Sequence, residues 1–105
     1  MSNKEAKKKL EACLDKDYNE LLNTLFGAYD QASVGKGKVR HAGGKPFLDQ
    51  PIMWIEDQFK SYQLGQAVKK IHESQILPID AAIHELRGAI VYLSAHILHL
   101  QKGED

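Results

Sequence analysis

IDAAIHELRGAIVYLSAHILHL, residues 79–100, is the stretch whose reading decides the fold. Within it Ile79, Ile83, Leu86, Ile90, Leu93, Ile97 and Leu100 step by 4, 3, 4, 3, 4 and 3 residues. That alternation keeps one apolar stripe on one side of a 3.6-residue helix and does not fit the two-residue period of a strand. A helix over 79–101 is therefore expected. Gly88, Ala89, Tyr92 and Ala95 lie off the stripe and add a second surface of mostly small side chains, suited to a close neighbour. A helix apolar on two sides in so short a chain predicts one intrachain contact and one contact between subunits. The intersubunit contact is assigned to Ile83, Leu86, Ile90, Leu93, Ile97 and Leu100.

The elements before it follow the same logic. Leu77-Pro78 ends the preceding helix, because proline disfavours helical geometry in the residue before it, and Asp80 caps or begins the last one. Leu64, Ala67, Val68 and Ile71 predict a helix over 61–75, with Gly65 near its start. Pro51 suits a first helical position with Asp49 or Gln50 near the cap, and Ile52, Ile55 and Phe59 mark its buried stripe over 51–60. Leu10, Leu14, Tyr18, Leu21, Leu22, Leu25, Phe26 and Tyr29 recur at threes and fours and predict one long helix over 4–32. Gly27 within it marks a close approach by another backbone. The expected architecture is all-α: one domain over 1–105, a bundle of about four helices with a long Gly/Lys-rich loop over 33–50, oligomeric through the C-terminal heptad helix.

That loop contains the clearest chemical signal. Gly35-Lys36-Gly37-Lys38-Val39-Arg40-His41-Ala42-Gly43-Gly44-Lys45 holds four cations, four glycines and a histidine with no acid among them. The whole chain has 14 Lys+Arg and 14 Asp+Glu, so the remaining residues hold 10 cations against 14 acids. Glycines let backbone N–H groups converge on an anion, and Lys and Arg add charge-assisted hydrogen bonds. A plain solvated loop has the same composition. The phosphate fingerprints do not fit: P-loop spacing would need a glycine where Val39 stands, and dinucleotide spacing one where Arg40 stands. Yet a structureless connection of this length is unusual in a compact domain and tends to be functional or disordered. Candidate ligand contacts are Lys36, Lys38, Arg40, His41 and Lys45, with Gln66, Lys69 and Lys70 as a polar wall if their helix passes beside the loop. Phe47 and Trp54 offer flat surfaces on which a ring could stack, with core packing the alternative for each.

Composition bounds the partners. Zero formal net charge argues against general nucleic-acid binding. The early cluster of Lys4, Lys7, Lys8 and Lys9 reads as a solvated helix end. No apolar stretch approaches the roughly 18–20 residues that span a bilayer, and Met1-Ser2-Asn3-Lys4-Glu5 lacks the apolar core of a signal peptide, so a cytoplasmic protein is expected. Cys13 stands alone, which excludes an intrachain disulfide and a multi-cysteine zinc site and suggests a small core residue.

Catalytic groups do not assemble on sequence grounds. Helical nucleotide hydrolases gather Mg²⁺ with several carboxylates one turn apart; Asp17 and Glu20 are one such pair here, and no second Glu-x-x-Asp/Glu pair completes a metal cage. Glu56, Asp57, Glu73 and Glu85 are the other acids open to that use. Of the five histidines only His96 and His99 share a helical turn, too few for a zinc site, and they read as interface or solvent residues. No catalytic residue, cofactor or metal is therefore expected.

Gly37-Lys38-Val39-Arg40-His41-Ala42, Pro46-Phe47, Gln50-Pro51-Ile52, Gly65 to Lys70 and Glu85 to Leu93 together resemble small uncharacterised proteins encoded by bacteriophages and prophages. The resemblance covers about two thirds of the chain. It implies a viral context inside a bacterial host and says nothing about catalytic residues; small oligomeric phage proteins without catalytic groups include inhibitors of host defence, some of which sequester nucleotide signals. Three readings follow. One is a non-enzymatic homo-oligomer that captures a phosphorylated small molecule, most plausibly a nucleotide signal. A second is an inhibitor or adaptor docking its basic loop on an acidic host protein surface, and a third is a nucleotide pyrophosphatase-like hydrolase.

Overall fold

The structure, a computed structural model, describes residues 2–34 and 43–103. It is all-α, with no strand among the described residues. The helices are α1 (Asn3–Cys13), α2 (Asn19–Val34), α3 (Pro51–Gln58), α4 (Tyr62–Ser74) and α5 (Ile79–Gly103), and short 3-10 turns precede α2 (Lys16–Tyr18) and α3 (Phe47–Asp49). Among the described residues no helix is long and apolar enough to cross a membrane.

Among the described residues five α-helices stand where about four are expected, because the helix predicted over 4–32 is two. Leu14 and Asp15 take extended backbone, and the Asp15 carboxylate accepts a hydrogen bond from the Asp17 N–H at 2.9 Å. That side-chain cap offers the backbone an alternative to continued helix, as short acidic residues do. The chain then folds back: the Asn3 side-chain amide donates to Asp30 Oδ1 at 2.9 Å, tying the start of α1 to the end of α2. The start of α1 is closed by Ser2, whose Oγ accepts from the Glu5 N–H at 3.1 Å and lies 3.2 Å from the Glu5 carboxylate, a Ser-x-x-Glu cap. Cys13 ends up exposed at the last position of α1 instead of in a core.

α5 makes its most extensive contact with α4 and its next with α2. The residues it turns inward are the small ones. Ala95 is fully buried, as are Ala89 and, opposite them on α4, Ala67. Small side chains let two helices approach closely, and Gly88 makes room for the stem of Lys70, whose Cδ lies 2.9 Å from where a β-carbon would sit. Most of the heptad stripe that announces the helix faces outward, with Ile79, Ile83, Leu86, Leu93, Ile97 and Leu100 exposed; Ile90, assigned with them to an intersubunit contact, is half-buried on the α2 side instead. Leu64, Val68 and Ile71 of α4 are exposed too, with only Ala67 of that predicted face buried, and α3 buries Met53 and Glu56 while Phe59 is exposed. None of the described Leu, Ile, Val or Phe residues is fully buried.

The α3–α4 corner is held by a polar network. Glu56, 2% exposed, accepts from the Ser61 N–H at 2.7 Å and the Gln63 N–H at 2.9 Å, and so caps α4 from a neighbouring helix. Ser61 takes a left-handed φ of 67°, which aims both N–H groups at that carboxylate. Gln63, wholly buried, donates through Nε2 to the Ile52 carbonyl at 2.9 Å, and its Oε1 lies 3.0 Å from His96 Nδ1. The His96 and His99 rings stack at 5.7 Å, and His99 Nδ1 is 3.8 Å from Asp57. The two histidines therefore serve an intrachain network, where sequence suggested interface or solvent roles.

Candidate functional site

On the other flank of α5 the chain leaves a cleft of about 800 Å³. Its floor comes from Ile90, Val91 and Ser94 of α5, one wall from Leu22, Phe26 and Tyr29 of α2 with Ala6 of α1, and the other from Lys45, Pro46, Phe47 and Gln50. The α2 wall is aromatic because Phe26 and Tyr29, three residues apart, share a helix face, their ring centroids 5.9 Å apart at 58°. The opposite wall is shaped locally. Gly43 and Gly44 adopt φ of 60° and 72°, the sign required at both central positions of a type I′ turn, so a side chain at either would be strained. The Gln50 amide then donates to the Lys45 carbonyl at 2.8 Å, and Pro51 opens α3 with Gln50 at its cap position. The 3-10 turn between them sets Phe47 half-buried on the cleft wall.

The lining is mostly apolar. Its polar groups are few: Asn3 engaged with Asp30, the Ser94 hydroxyl donating to the Ile90 carbonyl at 2.8 Å, Gln50 engaged with Lys45, Ser33, and the exposed Lys45 as the sole cation among the described lining residues. Among the described residues no Asp, Glu, His or Cys lines it. Among the described residues no three such side chains converge in a way that could hold a metal ion. The arrangement can bury an apolar or flat body between Phe26, Tyr29 and Phe47 and offer one positive charge at the rim.

The candidates from sequence separate into three groups. Lys45 and Phe47 come together on the cleft wall. Trp54, Gln66, Lys69 and Lys70 do not line it. Lys69 lies 3.9 Å from Glu73, and Lys70 lies 3.6 Å from Glu85 and 5.9 Å from the centre of the Tyr92 ring, on the α4 face of α5. Lys36, Lys38, Arg40 and His41 lie outside the described residues. Phe26 and Tyr29 went unrecognised as site residues, since their periodic spacing reads equally well as core. No family model, curated protein or solved structure matches the chain.

Proposed function

We propose that the protein is a non-enzymatic binder of a phosphorylated small molecule with a flat ring, a nucleotide being the class that fits best. The ring enters between Phe26, Tyr29 and Phe47, and the phosphate meets Lys45 at the rim. The observation supporting this is that Lys45 and Phe47, at the end of the basic Gly-rich run, share one cleft wall opposite two further aromatic rings. In sequence Lys36, Lys38 and Arg40 immediately precede that wall and would add charge to the same anion. The absence of acids and histidines from the described lining favours capture over hydrolysis. In the viral setting that the sequence resembles, capture would act by holding a host nucleotide signal away from its effector.

A thermal-shift panel of linear and cyclic nucleotides, with a fatty acid as aliphatic anion, tests the reading. A bound nucleotide stabilises the native state by mass action, about 2.7 kcal/mol at a hundredfold excess over Kd. The expected result is a raised Tm with the nucleotide recovered intact and the shift lost in Phe47→Ala. A shift with the fatty acid alone, or no shift with any nucleotide, overturns the proposal, and recovery of cleaved nucleotide would make the protein an enzyme.

A further inference from the structure

We propose that the α4–α5 hairpin pairs with the same hairpin of a second copy of this chain to close a four-helix bundle. In the hairpin, Gln63, Ala67 and Lys70 of α4 meet Glu85, Tyr92 and His96 of α5 through the Gln63–His96 hydrogen bond and the Lys70–Glu85 and Lys70–Tyr92 contacts, with Ala67 buried between. Two antiparallel helices place the residue that follows each contact position on the same side of the pair, because both are right-handed. On α4 those followers are Leu64, Val68 and Ile71; on α5 they are Leu86, Leu93 and Ile97, continued by Leu100 and Ile83. All are exposed, Val68 to 65% and Ile97 to 56%. The opposite side of α5 is occupied: Arg87 packs over Gly27, the Gln31 amide donates to the His84 carbonyl at 3.0 Å, and Val91 and Ser94 floor the cleft.

Three properties commit this face to a second copy. It is free of charge along its length, with no Lys, Arg, Asp or Glu among the eight residues named, so no like charges oppose a two-fold arrangement. Both helices repeat their exposed residues at seven, Leu64 with Ile71 and Leu86 with Leu93 and Leu100, the spacing by which antiparallel pairs interlock into bundles. At the exposures observed, these residues offer on the order of 700 Å² of surface, larger than the usual patch on a monomer and near one partner's share of a stable interface. The cleft adjoins this face at Ile90, between Leu86 and Leu93 on the same stripe, and opens on the α2 side of α5.

Light scattering coupled to size exclusion reads the outcome on the full chain. The expected mass is twice the 11.8 kDa of one chain. Leu93→Glu and, separately, Val68→Glu are expected to give monomers with unchanged helical circular dichroism, because both positions are already exposed within one chain. Leu48→Glu, at an exposed leucine outside the hairpin, is expected to stay dimeric. A wild-type chain of monomer mass at its highest soluble concentration, or a dimer that persists in both the Leu93→Glu and Val68→Glu proteins, overturns the proposal.

Discussion

The two flanks of α5 solve the same packing problem in opposite ways. Toward α3 and α4 the helix presents Ala89, Ala95 and His96, and the space is closed by small side chains and a hydrogen-bonded Glu56–Gln63–His96 network. Toward α1 and α2 it presents Ile90, Val91 and Ser94, and the space stays open as a cleft walled by bulky rings. A buried polar network specifies one geometry, because each member is costly to leave without its partners. An apolar cleft imposes no such demand and can exchange solvent for a ligand. On the proposed function the first flank is the frame and the second the working surface, and substitutions on the two should separate stability from binding.

The largest effect is expected at Glu56. Glu56→Ala leaves the Ser61 and Gln63 amides of the α4 cap without their acceptor and opens a void beside His96, at a cost of about 3 kcal/mol in urea denaturation. Phe47→Ala, on the cleft, is expected to abolish ligand binding while costing less than half as much. Equal destabilisation by the two would erase the distinction between frame and working surface.

A pH series sharpens the same contrast. Burial pushes the Glu56 carboxyl up, but the Gln63 and Ser61 amides, with His96 and His99 nearby, outweigh it and hold it below its ordinary value of 4.5. A carboxylate depressed by folding contributes stability that is fully present above the unfolded value and disappears as pH falls through the folded one. The wild type should therefore lose stability steeply below pH 4.5, and Glu56→Gln should flatten that part of the curve. An unchanged acid limb in Glu56→Gln would remove Glu56 from the frame.

On the working surface, Lys45→Ala is expected to weaken nucleotide binding about tenfold, or 1.4 kcal/mol, with Tm of the free protein unchanged. The exposed lysine makes no ion pair with the described residues, so its loss removes charge toward a ligand and little else. Lys69→Ala, directed at a candidate outside the cleft wall, should leave affinity as it is. The reverse ranking would move the anion site to α4.

The frame was partly legible in the sequence and the cleft hardly at all, for separate physical reasons. The three-four stepping from Ile79 to Leu100 announces a helix whatever covers it, and the small surface beside the stripe, with Ala89 and Ala95, was legible as the one suited to a close neighbour. That the neighbour is α4 is a tertiary fact that periodicity does not encode. The break at Leu14 had a local signal in Asp15 and Asp17, which the apolar stepping across it concealed. Glu56 looks like any surface acid until the left-handed Ser61 turns two amides toward it. Of the candidates that sequence offered, Lys45 at the end of the basic run and Phe47 beside it line the cleft, whereas Trp54 offered an equally flat ring and lies off the wall.

The smallest predicted effects come from two glycines, one on each flank. Either change to Ala gains up to about 1 kcal/mol of helix propensity, so the difference between them reports only what the new methyl meets. At Gly27 it meets the Arg87 guanidinium, with Nε at 2.8 Å, an exposed group at the end of a flexible side chain that swings away at little cost. At Gly88 it meets the Lys70 stem at 2.9 Å, and that lysine is held over Tyr92 and beside Glu85. Moving it gives up a half-buried ion pair and a cation–π contact, each worth on the order of 0.5–1 kcal/mol. Gly27→Ala should therefore raise the Tm by a few degrees, and Gly88→Ala should leave it unchanged or slightly lowered. A gain at Gly88 equal to that at Gly27 would mean that Lys70 is as free as Arg87, and the α4 flank would then owe its rigidity to the Glu56–Gln63–His96 network alone.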